Sequence, residues 1–548
     1  MGTNSEADHR HQTPDALLRP TLNSNFGIKP QQRKLRDPTV TFEEYHYYAQ
    51  QTRAAEASHP HPGLDVASEK QGSLAVSDEE WANESRALRT ATRGAIFYLI
   101  TTGVLGPFGL PYAFATMGRG PGIALYTVFA GLAGYSGYLL WEMFMGLDSY
   151  QYPVRTFGDL GYRLVGPWMR HLFMILQTIQ LFLNVGLIII SNGEALSQAA
   201  KFRLCFIVCC VVWAIIGLFI GQIRTLQKFG WLANAAVWIN LICMFITMGA
   251  AAHTSPNFAD ASQSAGAVID GGILVTPGAN GVFPPVTTSG RLPATDGGFT
   301  GSVSGAMQAI FAYGGSMIFP EFMAEIKRPK DFLTAMWAAQ AFIYFWYMFY
   351  SLFIYLGIGS YNLQTAGNAF AMVSTIIAAA LYGNIGVKVL YETILVDWFR
   401  APPLTTRSGK FLWAAIIPVY WAIAFVIAAA IPNFPGLISV IAAFCILQFT
   451  YSFPPLLSLA YWAHKQAMVD GGGYDPATGP TARREGQFKR LVRGLFGRRW
   501  WWNLLNLVYF LGALALAGLG AYSEIQVLRE AFANNTTTSF TCKSPLDG

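Results

Sequence analysis

The stretch Thr101-Thr102-Gly103-Val104-Leu105-Gly106-Pro107-Phe108-Gly109-Leu110-Pro111 limits what this chain can fold into more than any other. It lies within Gly94 to Met117, a segment apolar and long enough to cross a hydrocarbon core of about 30 Å. Yet glycines and prolines interrupt its middle. Pro107 has no N–H to donate and its ring clashes with the preceding turn, so a continuous helix is not expected through it. In a membrane, freed backbone groups are tolerated only where they are buried in protein or line a wet cavity. The break therefore reads either as a packing kink or as half of a binding site at the midplane.

Only 12% of the 548 residues are charged and 53% are hydrophobic. Soluble domains carry about 25% charge, so the chain reads as an all-α polytopic membrane protein. Its formal charge of +6 is orientation information and implies no nucleic-acid partner. No apolar run before a small-residue cleavage site opens the chain, and no cleaved signal peptide is expected. Cys205, Cys209, Cys210, Cys243 and Cys445 lie in or beside spans and Cys542 in the tail. Their spacing predicts neither a disulfide framework nor a metal site, while a single disulfide from Cys542, in an outer tail, to Cys205, near the outer end of the fourth span, stays open. No cofactor is implied.

Residues 1–92 are polar and read as a cytoplasmic, mostly disordered tail. Within it, Thr39 to Gln51 is open to two readings. It is a short helix capped by Thr39 or Thr41, with Phe42, Tyr45 and Tyr48 on a docking face, or a floppy stretch with a chance aromatic cluster. Residues 93–522 hold about eleven apolar runs. After the first come Gly122–Met145, Pro167–Asn192, Leu204–Gly221 and Leu226–Ala251. A polar loop, 252–301, precedes Ser302–Ile326, Phe332–Gly359 and Ala369–Phe399. Phe411–Ile431, Leu437–His464 and Trp500–Tyr522 complete the set, and 523–548 is a short outer tail.

Lys and Arg fix the orientation. Counting from an inner N-terminus, every inner loop is basic, the last with Arg483, Arg484, Lys489, Arg490 and Arg493. The long outer loop has only Arg291. Asn534 and Asn535 open overlapping N-x-Thr triplets, usable only on the outer or lumenal face.

The sixth segment repeats the interruption of the first. In Ala309-Ile310-Phe311-Ala312-Tyr313-Gly314-Gly315-Ser316-Met317-Ile318-Phe319-Pro320-Glu321, glycines again fall mid-span and a proline follows. Two such spans at corresponding places predict an inverted 5+5 repeat with an eleventh helix added.

The sequence resembles the amino acid/auxin permease family, most closely its fungal neutral amino acid permeases. The resemblance rests on Gly103-Val104-Leu105-Gly106 with Leu110-Pro111-Tyr112-Ala113-Phe114, and on Tyr152-Pro153-Val154-Arg155-Thr156-Phe157-Gly158-Asp159. Phe311-Ala312-Tyr313-Gly314 with Pro320-Glu321-Phe322-Met323-Ala324-Glu325 completes it. It implies a leucine-transporter-like fold and secondary active transport of amino acids, usually coupled to protons.

A zwitterion at the midplane needs N–H donors for its carboxylate and carbonyls for its ammonium. The first break supplies Thr102, Gly103, Leu105, Gly106 and Phe108. The sixth supplies Phe311, Ala312, Tyr313, Gly314 and Ser316. Neither contains a charge, which favours a neutral substrate, aliphatic or aromatic. Phe108, Phe311 and Tyr313 bound its side chain, or simply pack the core.

In the third span Gln177, Gln180 and Asn184 share a helix face and read as pore-lining or as interhelical glue. Asn234 and Asn240 carry no assignment. Lys388, with Glu392 one turn on, reads as a proton-coupling pair or as a lysine snorkelling to the inner surface. Glu321 and Glu325 are candidate gate residues or interface charges.

Three other classes compete with the transporter reading. An amino-acid-sensing receptor would need an output module, and none is recognisable. An enzyme would need a nucleophile–base or acid–base cluster within the spans. A channel would need a ring of charge or repeated carbonyls. The expected site of action is the plasma membrane, with the vacuolar membrane as the alternative.

Overall fold

A computed structural model describes residues 38–58, 91–106, 110–149, 151–222, 229–253, 298–356, 364–402, 406–430, 434–468, 473–474, 487–533 and 539–542. Among these the secondary structure is helical, apart from one isolated bridge between Ala91 and Ile326. Among the described residues, eight helices are long and apolar enough to cross a membrane. The shorter Phe206–Ile220 and two interrupted helices occupy the remaining places in the order.

The first interrupted helix runs Arg93–Val104 and resumes at Leu110–Met117. Leu105 leaves the helix with φ −69° and ψ 97°. Pro107, Phe108 and Gly109 lie outside the described residues. The second runs Gly298–Ala312, unwinds over Tyr313 to Gly315, tightens into a 3-10 turn at Ser316–Ile318 and resumes at Phe319–Glu325. Pro320 falls in the first turn of that last piece, where its missing N–H costs nothing. The two breaks touch: a Cβ on Gly315 would collide with the side chain of Val104. Along the chain these are the first and sixth spans, with Trp500–Ala533 beyond the fifth span of the second half.

Around the breaks pack Pro167–Ala199, Phe229–His253, Pro329–Leu356 and Gln364–Leu390. The tenth span widens into π turns over Ala442–Ser452. Ile446, in those turns, lies 2.6 Å from where a Gly314 Cβ would stand. The eighth widens likewise over Tyr391–Trp398.

Several expectations are corrected. The third helix continues to Ala199 and the last to Ala533. Ser523 and Glu524 interrupt the apolar run in the sequence, yet they are 1% and 0% exposed because they face the protein. The one disulfide left open by the sequence is present: Cys205 and Cys542 are joined. A separation of 337 residues leaves no local spacing to betray that pairing. Phe540 N donates to Ala429 O at 3.0 Å beside it. Asn534 and Asn535, and most of 252–301, lie outside the described residues.

At the opposite end, the expected short helix spans Phe42–Ser58. Glu44 N donates to Thr41 Oγ1 at 3.4 Å, which satisfies one of the free N–H groups of the first turn. The helix lies as a strap on the basic end of the molecule. Phe42 stacks on His464 with ring centroids 4.9 Å apart, and the Arg163 guanidinium sits 4.6 Å from the Tyr45 ring centre. Arg53 binds the buried carboxylate of Asp148 at 2.8 Å.

Candidate substrate site

The helix break leaves backbone groups of the first span without partners inside their own helix. Three neighbouring spans supply partners for some of them. Asn240 Nδ2 donates to Leu105 O at 3.1 Å. The Tyr347 hydroxyl donates to Val104 O and accepts from Gly106 N, the latter at 3.0 Å. The Tyr382 hydroxyl donates to Gly103 O. Leu105 N still bonds Thr101 O at 2.7 Å. The N–H groups of Leu105 and Gly106, expected to await a carboxylate, are thus already engaged.

A cavity of about 120 Å³ opens between the two breaks. At about 30 Å³ per water in the liquid, it has room for several waters. Thr102, Gly103, Leu105 and Gly106 line it from the first span. Phe311, Ala312 and Gly314 line it from the sixth. Its described lining contains no Asp, Glu, Lys, Arg or His.

Other expected site residues lie elsewhere. Tyr313 and Ser316 are 2% and 1% exposed and are not among the lining residues. Tyr313 packs edge-on against Tyr126 and Tyr347 at 6.0 and 5.5 Å. Phe108 lies outside the described residues. Of the three third-span amides, Asn184 alone reaches the cavity, beside Leu187, Ile188 and Ser191 of the same helix, and its buried Oδ1 has no hydrogen-bond partner. Gln177 and Gln180 are buried one to two turns toward the basic end and are not among the residues lining this cavity.

Gln177 instead serves Glu321, donating from Nε2 to Oε1 at 3.0 Å, with Phe157 N on the same oxygen at 3.5 Å. Glu321 thereby ties the inner half of the sixth span to the third span and to the short helix Phe157–Leu164. At Glu325 the backbone carbonyl accepts from Ala91 N at 3.0 Å. Lys388 is half-buried in the last turn of Gln364–Leu390 and does not reach the cavity. The side chain of Glu392 is outside the described set.

Sequence reasoning missed Gln308, Thr375 and Tyr382 in the lining. Gln308 Nε2 donates to Ser439 Oγ at 2.9 Å, and Thr375 Oγ1 donates to Asn192 Oδ1 at 2.6 Å. An amide or hydroxyl facing inward from an apolar run was the available signal. Asn234, by contrast, accepts from the neighbouring Trp238 indole at 3.0 Å and is a packing residue.

The profile of the transmembrane amino acid transporter protein family matches residues 89–469, which takes in both breaks. The chain belongs to that family. Curated relatives are fungal. One from Neurospora crassa, named an N amino acid transport system protein, is 22% identical over 80% of this chain and 85% of its own length. A transmembrane transporter of Gibberella moniliformis is also 22% identical, over 80% of this chain and 84% of the relative. Among solved structures, Mhp1, a nucleobase-cation-symport-1 family transporter with bromovinylhydantoin bound, aligns with a TM-score of 0.42. That alignment shows 11% identity and covers 84% of this chain and 95% of the other. Membership of this family makes the chain a multi-pass membrane transporter of a small molecule, in a family of carriers and not of enzymes.

Proposed function

We propose that this family member imports neutral amino acids by proton symport, with the substrate held between the breaks of the first and sixth spans. The observation that carries the reading is a cavity between the two breaks whose described lining has backbone breaks, amides and hydroxyls but no acidic or basic side chain. A cationic or anionic side chain would enter it unpaired, at a cost of several kcal/mol. A neutral one would not. The unpartnered Asn184 Oδ1 offers an acceptor to a substrate ammonium.

A proton fits better than sodium as the driving ion. The Gly103 carbonyl, facing the eighth span, already accepts from the Tyr382 hydroxyl and so is not free to coordinate a cation. The N-terminus is inside and the disulfide outside. The basic end carries the strap, as loop charge requires, and disulfides persist on oxidising faces. Glu321, bound by Gln177 and Phe157 N, is the inner gate.

The test is uptake into proteoliposomes, scanning neutral, cationic and anionic amino acids with and without an imposed proton gradient. Gradient-driven accumulation of neutral substrates alone is the expected result. Equal uptake of lysine or glutamate would sink the specificity, and a requirement for sodium at constant pH would sink the coupling.

A further inference from the structure

Glu524 is a carboxyl that nothing above employs. It lies on the last helix, outside the two halves that form the cavity, and its side chain is wholly buried. The last helix comes unusually close here. A Cβ on Gly520, one turn earlier on the same face, would stand 2.5 Å from Met307 Sδ and 3.2 Å from Ala443. Ser523 Oγ fastens the same turn to Thr300 O at 2.8 Å.

The hydroxyls of Ser304 and Ser439 face the Glu524 carboxyl within reach of a hydrogen bond, though neither oxygen meets full hydrogen-bond geometry in this conformation. No described charge balances it. Gly298–Ala312, which brings Ser304, contains no ionisable residue, and neither does Phe434–Ile441, which brings Ser439. The π turns Ala442–Ser452 offer only Cys445 and Tyr451. Tyr451 points away, its hydroxyl donating to Phe129 O at 3.4 Å. On Phe453–Ala467 the titratable groups Tyr461, His464 and Lys465 crowd the far, basic end beside Arg499. On its own helix Arg529 is exposed.

A carboxylate so placed has lost its water and gained no cation, so the neutral acid is the favoured form. The site also has a line to the cavity. Ser439 accepts from Gln308 Nε2 at 2.9 Å, and Gln308 lines the cavity. A neutral Glu524 donates toward a serine oxygen, whereas an ionised one demands the serine proton. Ser439 turns its hydroxyl to suit, and because the same oxygen accepts from Gln308 Nε2, that turn changes the lone pair offered to the amide at the cavity wall.

We propose that Glu524 binds the coupling proton, and that the Gln308–Ser439 hydrogen bond carries its protonation state to the substrate cavity. The inference deepens the proton-symport reading and rests on it. Twenty-four residues past Trp500, at 1.5 Å each, put Glu524 about 36 Å along the helix, at the outer edge of the hydrocarbon. The proton would therefore load from outside. Outward opening of Gly298–Ala312 and Phe434–Ile441 around the carboxyl would wet and load it, and closure would seal it.

The experiment compares wild type, Glu524→Gln, Glu524→Asp and Lys388→Met in proteoliposomes holding pyranine. It reads substrate exchange, substrate-driven proton entry and the pH profile of uptake for the neutral amino acid that wild type moves fastest. Glu524→Gln is expected to keep exchange within about threefold, to carry no substrate-driven protons and to lose its pH dependence between 5 and 8. Glu524→Asp should restore proton entry. Wild-type proton entry and pH profile in Glu524→Gln would overturn the proposal. So would loss of proton entry in Lys388→Met alone, or equal loss of exchange and thermal stability in both Glu524 variants. If wild type itself moves no protons, the symport reading fails first, and that failure is visible before any variant is examined.

Discussion

The phenolic hydroxyl of Tyr382 donates to the backbone carbonyl of Gly103, joining the eighth span to the last helical turn of the first before its break. With Tyr347 on Val104 and Gly106, and Asn240 on Leu105, it means that the break is fixed by side chains of three other spans. Buried backbone groups outside a helix ladder must find such partners, since none is available from lipid. The site is thereby shaped before any substrate arrives.

Tyr382→Phe should expose this dependence. The substitution keeps the ring and removes the donor from Gly103 O. An unsatisfied buried carbonyl costs about 1–3 kcal/mol, so substrate affinity is expected to fall about tenfold or more while expression persists. Equilibrium binding of labelled substrate in detergent checks it. Unchanged affinity would mean that water replaces the phenol without loss.

Gly106 and Gly314 are not equivalent probes of the site, although both line it. A Cβ on Gly106 meets nothing within 4 Å, whereas one on Gly314 lands 2.6 Å from Ile446. Gly106→Ala should therefore fold normally and weaken binding modestly. Gly106→Leu, projecting into the cavity, should abolish binding with thermal stability close to wild type. Gly314→Leu should lose both, because Ile446 must move. Near-normal affinity in Gly106→Leu would place the substrate elsewhere.

The Cys205–Cys542 disulfide makes a topological prediction. On intact cells a membrane-impermeant maleimide should not label Cys542 in wild type. It should label Cys542 in Cys205→Ser, or in wild type after mild reduction. Loss of a cross-link that ties the tail to the fourth span should also lower the melting temperature. Labelling only after permeabilisation would reverse the assigned orientation.

The spans and both breaks were legible because hydropathy and Gly/Pro interruption act locally along the chain. Asn184 could be placed on the correct helix face for the same reason. What could not be read was depth. Gln177 and Gln180 share that face, yet only Asn184 stands level with the cavity. Gln177 is instead taken by Glu321, 144 residues away. Tyr347 and Tyr382 looked like ordinary aromatic residues of apolar spans, because nothing local reveals that their hydroxyls meet carbonyls of the first span. Glu524 was hidden by its own charge, which ended the apolar run that would have marked it as buried. The Cys205–Cys542 pair could be reached only as a possibility, from the shared outer position of the two thiols, because no short-range spacing marks it.

The strap helix Phe42–Ser58 should respond to acid through His46. Its Nδ1 lies 3.0 Å from Gly146 O and its Nε2 lies 2.9 Å from the Gln50 amide nitrogen. That network assigns a neutral ring, with Nδ1–H donating and Nε2 accepting. Burial holds the imidazole below its ordinary value of 6.5, the Gly146 bond offsets part of this, and the charge of Lys465 lowers it further. A histidine depressed in the docked state binds more protons when released. Docking is therefore fully favoured above pH ~6.5 and weakens as pH falls from there toward the docked value, by at most about tenfold per unit. Limited proteolysis within Phe42–Ser58 should accelerate between pH 7 and 5.5 in wild type. His46→Gln, unable to take up the proton, should show a flat profile over that range. Arg53→Ala should raise cleavage at every pH, because Asp148 loses the guanidinium held at 2.8 Å, and should leave the slope unchanged. A wild-type slope in His46→Gln would assign the response to another group.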